Sequence, residues 1–94
     1  MQFAKKLRDG VRRGDIKCSV RIWKQPRVKV GGRYALDAGE IEVDSIRTIT
    51  LEDITLELAR RSGFEGVEDL LKTARHGSGE HIFLVEFHYI EFGH

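Results

Sequence analysis

The segment His81-Ile82-Phe83-Leu84-Val85-Glu86-Phe87-His88-Tyr89-Ile90-Glu91-Phe92 limits the fold more than any other part of the chain. Successive side chains of a strand point to opposite faces. Phe83, Val85, Phe87 and Tyr89 therefore share one face, and Ile82, Leu84, Glu86 and His88 share the other. The first part is apolar on both faces, as in a central strand covered on each side. The rest of the chain has to supply that cover.

It has the means to do so. With 94 residues the chain makes one domain, residues 1–94. A domain of this size buries roughly 60–70% of its unfolded surface, enough for a core without staples. Cys18 is the single cysteine, so no internal disulfide framework exists, and a reducing, cytoplasmic location is expected. No apolar run reaches about 18 residues, the minimum for a spanning helix. The opening MQFAKKLRDGVRRG carries charges where a signal peptide is apolar. A single proline and the absence of low-complexity runs argue against disorder.

Periodicity gives the order of elements. Phe3, Leu7 and Val11 recur every four residues, with Ala4 beside Phe3, in an amphipathic helix ending at Gly14. Gly10 inside it costs up to ~1 kcal/mol relative to Ala. Residues 17–23 alternate: Cys18, Val20 and Ile22 point one way, and Lys17, Ser19, Arg21 and Trp23 the other. Residues 24–33 read as a loop. Tyr34, Leu36 and Ala38 form a short strand leading to a turn at Ala38-Gly39, and Ile41 and Val43 continue in a third strand. The phase slips near Ser45, which predicts a bulge. Thr50 to Asp53 fits a capping box before a helix through Ile54, Leu58 and Ala59, stopped by Gly63. Val67, Leu70, Leu71 and Ala74 mark a further helix, ending at Gly77. Strands and helices do not interleave regularly, so a small, strongly curved sheet or barrel with helices at one side fits better than a doubly wound parallel sheet.

The near-neutral total charge hides a strong asymmetry. Residues 1–33 hold 11 Lys/Arg against 2 Asp, a net of +9, and residues 34–94 hold 5 Lys/Arg against 13 Asp/Glu, a net of −8. Such a division points to a polyanion-binding face. Lys17, Arg21, Lys24, Arg27, Lys29 and Arg33 are its cations, with Trp23 among them and Tyr34 adjoining. Cations neutralise phosphates, and an indole stacks on an unpaired base. The acidic part is expected to stand apart from this face.

The order of elements and two segments resemble the ASCH domain, a family within the PUA-like β-barrels. The segments are Gly14-Asp15-Ile16-Lys17-Cys18-Ser19-Val20-Arg21 and Val28-Lys29-Val30-Gly31-Gly32-Arg33-Tyr34. ASCH members tend to carry G-x-K-x-x-T-x-R after the first helix, then a V-G-D-type turn into a strand. Ala59-Arg60-Arg61-Ser62-Gly63-Phe64 and Leu84-Val85-Glu86-Phe87 extend the likeness across roughly residues 3–89. The resemblance implies an α+β fold, a small PUA-like β-barrel or strongly curved mixed sheet with flanking helices. It also implies a cleft beside the first helix that takes RNA or a modified base.

Small ASCH amidohydrolases remove the acetyl group from N4-acetylcytidine with the motif Lys, the motif Thr as nucleophile and a helix Glu. Aligned on Gly14 and Arg21, those positions fall on Ile16, Ser19 and, at or near it, Ser62; Lys17 lies one place late, and Glu57 is the nearest upstream acid. The leading expectation is therefore an RNA-binding domain acting through Lys17, Ser19, Arg21, Trp23, Lys24, Arg27, Lys29 and Arg33. Its partner is RNA or a modified nucleoside, with no membrane and no cofactor. The alternative is a hydrolase of a modified nucleoside, or a ribonuclease, with Lys17 and Ser19 as the reacting pair; the Lys must lose its proton to activate the Ser. A third possibility is an adapter acting through Glu57, Glu65, Glu68 and Asp69.

Other residues carry weaker signals. Cys18 falls on the apolar side, as a buried thiol would. His76, His81, His88 and His94 make no metal spacing with a second cysteine. Glu40, Glu42 and Asp44 read as a solvated strand face, or else as paired carboxylates for acid–base chemistry.

Overall fold

A computed structural model describes residues 3–74 and 81–92. The elements are α1 (Lys5–Arg13), β1 (Cys18–Trp23), β2 (Arg33–Leu36), β3 (Gly39–Ile49), a 3-10 turn (Leu51–Asp53), α2 (Leu56–Arg61), α3 (Val67–Ala74) and β4 (His81–Glu91). The four strands form one curled sheet in the order β1-β4-β3-β2, antiparallel throughout. The expected mixed sheet is thus corrected to an antiparallel one. It is a half-barrel: β1 and β2 are its two edges and do not pair with each other.

The apolar double face of β4 sets this order. One face of the sheet packs Val85 and Phe87 of β4, Ile41 and Val43 of β3 and Leu36 of β2 against Phe3, Leu7 and Val11, with Ile16 and Val28 closing the cluster. The other packs Leu84 with Cys18 and Val20 against Ile54, Leu58 and Ala59 and against Leu70 and Ala74 of α3. A strand buried on both sides leaves no solvated face for backbone polar groups, so it takes a partner on each edge.

Local chemistry shapes the rest. Helix α1 ends at Gly14, whose φ of 82° is open to glycine at no steric cost. Gly10 is buried because Ile16 packs on it: a Cβ there would lie 2.6 Å from Ile16 Cδ1. The helix propensity lost at Gly10 is the condition for that close approach. The β2–β3 hairpin turns at Asp37-Ala38, one residue before the expected Ala38-Gly39, with Asp37 at φ 51°. Two-residue hairpin loops favour such positive φ, and Asp tolerates it. The phase slip in β3 is a register shift between Val43 and Ser45, which leaves Asp44 out of the ladder.

The Thr50–Asp53 pair starts the 3-10 turn and not the helix that the sequence predicts. The Asp53 carboxylate accepts from the Thr50 N–H at 2.9 Å and from Thr50 Oγ1 at 3.1 Å. Helix α2 begins at Leu56, capped by Thr55, whose Oγ1 accepts from the Leu58 N–H at 3.2 Å. Ile54 lies between the two caps and enters the core. The stop expected at Gly77 falls outside the described residues.

Two outcomes are expected. Phe87 is 2% exposed and its ring lies 5.3 Å from that of Phe3. Phe87→Ala should cost about 3–5 kcal/mol in urea unfolding, whereas Phe92→Ala, at a 55% exposed position, should stay within about 0.5 kcal/mol. The second concerns Asp53, whose pKa is lowered first by the Thr50 backbone N–H and then by the Thr50 hydroxyl. A carboxylate with a lowered folded pKa stabilises above its unfolded pKa and loses that contribution as pH falls through the folded value. Asp53→Asn should therefore lower Tm at pH 7, and the deficit should close as pH drops below the carboxylate range.

Candidate functional site

Strand β1 brings Ser19, Arg21 and Trp23 to one wall, as the two-residue period requires. They line a cleft of about 630 Å³ that follows the outer edge of β1. Phe3, Ala4 and Leu7, at the start of α1, form a second side; Phe64 and the end of α3 form a third; Arg27 and Val28 of the β1–β2 loop complete it. The apolar lining is the rim of the two cores, since Trp23 and Phe64 are half-buried and pack against them.

Arg21 is central to this site. Its Nε–H donates to Ser19 Oγ at 2.8 Å, and its guanidinium carbon lies 5.1 Å from the Phe3 ring centroid. The stacked ring and the hydroxyl fix a side chain that is otherwise among the most flexible. Burial lowers the Arg21 pKa, yet arginine stays charged at any pH the fold survives. A partly desolvated cation exerts a stronger field than an exposed one. Trp23 stands 6.0 Å from Phe83 by ring centroids, which supports the indole from behind. On the opposite rim, Lys6 Nζ lies 5.5 Å from the Phe64 ring centroid.

Arg27 is exposed at the mouth of the cleft. The remaining basic residues named from the sequence do not line it: Lys17, Lys24 and Lys29 are exposed outside its lining. Arg33 turns to the sheet, where its Nε–H donates to Glu42 Oε1 at 2.9 Å and its Nη1 lies 3.3 Å from Glu40 Oε1. The acidic part of the chain does not stand apart from the basic part, as the sequence suggests. Asp37, at the hairpin tip, lies 3.9 Å from Arg8 Nη1 and 3.7 Å from Arg12 Nε, while Asp9 also pairs with Arg12. Arg8 and Arg12 of α1 are thereby paired with acids, while Lys6 remains on the cleft rim beside Phe64.

The three positions implied by the ASCH resemblance do not converge. Ile16 is 8% exposed and packed among Leu7 and the two glycines Gly10 and Gly63. Lys17 beside it faces solvent and is not a cleft residue. Ser62 is buried in the other cluster, where its Oγ–H donates to Leu58 O at 2.9 Å and contacts Cys18 Sγ at 3.5 Å. Glu57 lines a separate depression of about 410 Å³ with Asp53, Arg47 and Arg61. Ser19 alone of the set reaches the cleft, with its oxygen engaged by Arg21.

Phe3 and Leu7, which the sequence reading places only on the apolar face of the first helix, line the cleft, and so does Phe64, which it names only within the ASCH-like wording. Their apolar spacing is identical for a residue at the centre of a core and at its rim, so periodicity carried no signal for the difference. His76 and the Gly77-Ser78-Gly79 loop lie outside the described residues. No helix of the described residues is long and apolar enough to cross a membrane. Comparison with protein-family models, with curated proteins and with solved structures returns no match for this chain.

Proposed function

We propose that this protein is an RNA-binding domain that holds an unpaired nucleotide in the cleft along β1. The observation that carries this reading is the joint presence of Arg21, a half-buried cation, and Trp23, a half-buried indole, in one cleft of about 630 Å³. Ligand pockets generally span about 300–1,000 Å³. Every base has a face that stacks on an aromatic ring, for ~1–3 kcal/mol. A phosphate beside the base would meet Arg21 and then Arg27. The start of α1 borders the same cleft, and its first turn carries no acidic residue, so the helix dipole adds to the attraction for an anion. The ASCH resemblance of the sequence points the same way.

A hydrolase acting through Lys17 and Ser19 draws less support from this geometry. Lys17 lies outside the cleft, and the oxygen of Ser19 already accepts from a cation. A base for Ser19 would have to come from elsewhere.

Trp23 is the sole tryptophan, so its emission reports on the cleft directly. Titration with a short single-stranded RNA should quench it, with an affinity that falls steeply with salt. Arg27→Glu should weaken binding and flatten the salt dependence, and Arg21→Gln should weaken it further. Quenching that is absent at low salt, or equal in both variants, would remove the cleft from RNA binding. Incubation with N4-acetylcytidine tests the hydrolase: turnover lost in Ser19→Ala would favour it over the binding module.

A further inference from the structure

The opposite face of the sheet gathers a second group of chemically active side chains, far apart in sequence. Glu42 and His88 are directly paired across β3 and β4. In a regular ladder Asp44 would come opposite Glu86, two like charges face to face, which is unfavourable. The bulge between Val43 and Ser45 prevents this. It gives Glu86 to Ser45 and leaves Asp44 beside His88. His88 Nδ1 then lies 2.9 and 3.0 Å from the two Asp44 carboxylate oxygens, and its Nε2 lies 3.9 Å from Glu42 Oε2. One donor atom from each of the three residues falls within 4.8 Å of the others.

From this arrangement we infer a divalent transition-metal site formed by His88, Asp44 and Glu42. Zinc takes imidazole nitrogen and carboxylate oxygen at about 2.0–2.2 Å. Donors already within 4.8 Å reach that geometry by small rotations of the exposed Asp44 and His88 side chains toward the half-buried Glu42. One imidazole nitrogen ligates the ion, and the Asp44 carboxylate exchanges its contact with the ring for the metal. Glu42 is the best-oriented donor: Arg33 holds its Oε1 at 2.9 Å, which leaves Oε2 turned to His88. Such an outer partner fixes a ligand's direction. Two carboxylates and a neutral imidazole balance a dication. The nitrogen donor selects Zn²⁺, Ni²⁺ or Co²⁺ over Mg²⁺ and Ca²⁺, which prefer oxygen throughout. Three protein donors leave coordination positions for water. The site lies across the sheet from the cleft and stands independently of the RNA-binding reading.

The test is calorimetric titration of the chelator-washed full chain with Zn²⁺, alongside His88→Ala, Asp44→Asn, Arg33→Ala and His81→Ala. One Zn²⁺ per chain should bind, with a measurable rise in Tm. His88→Ala and Asp44→Asn should each lose tenfold or more, Arg33→Ala should lose about tenfold, and His81→Ala should match the parent. Mg²⁺ in large excess should not compete. Absence of a 1:1 heat, equal affinity in a His88→Ala variant that remains folded by circular dichroism, or displacement by Mg²⁺ would each overturn the site.

Discussion

Phe83, Leu84 and Val85 of strand β4 are buried on both of its faces, and the molecule is arranged around that fact. Leu84 belongs to one apolar cluster, and Val85 and Phe87 to the other. Covering both requires α1 on one face and α2 with α3 on the other, while β1 and β3 satisfy the two backbone edges. Past Glu86 the helical cover ends on one face, and the strand turns amphipathic at His88. The division between a doubly covered and a singly covered part of the sheet therefore runs across β4.

Each side of that division has its own chemistry. Where both faces are covered, the outer edge of β1 lies between helix ends, and apolar rim residues frame Arg21. Low local polarity sharpens the field of that cation and keeps its position fixed through Phe3 and Ser19. Where one face is open, the side chains of β3 and β4 project into water, and charge pairing takes over from packing. Arg33, Glu42, His88 and Asp44 form a line of contacts across the sheet that could not exist under a helix.

Two small features have effects beyond their size. Ile16 sits where Gly10 and Gly63 leave room, so α1 and the end of α2 approach the same side chain. This brings α1 and the turn after α2 onto one buried side chain. The bulge at Asp44 removes a like-charge pairing and aims a carboxylate at His88. Neither feature adds many contacts; each decides where neighbouring groups point.

Much of this was legible in the sequence, because strand alternation, helix spacing and glycine stops are local properties. The alternation in 17–23 placed Ser19, Arg21 and Trp23 on one wall, the apolar run Ile82-Phe83-Leu84-Val85 made β4 central, and the slip near Ser45 gave the bulge. The sequence did not reveal which charges meet. Asp37 pairs with α1, Arg33 turns to Glu40 and Glu42, and His88 meets Asp44, 44 residues away. Nor did it separate Lys17 from its alternate neighbours Ser19 and Arg21, since all three share a face. Periodicity fixes the direction of a side chain relative to its own strand. Strand order, register and helix placement decide what it finds there, and those arise from burying β4 on both sides at once.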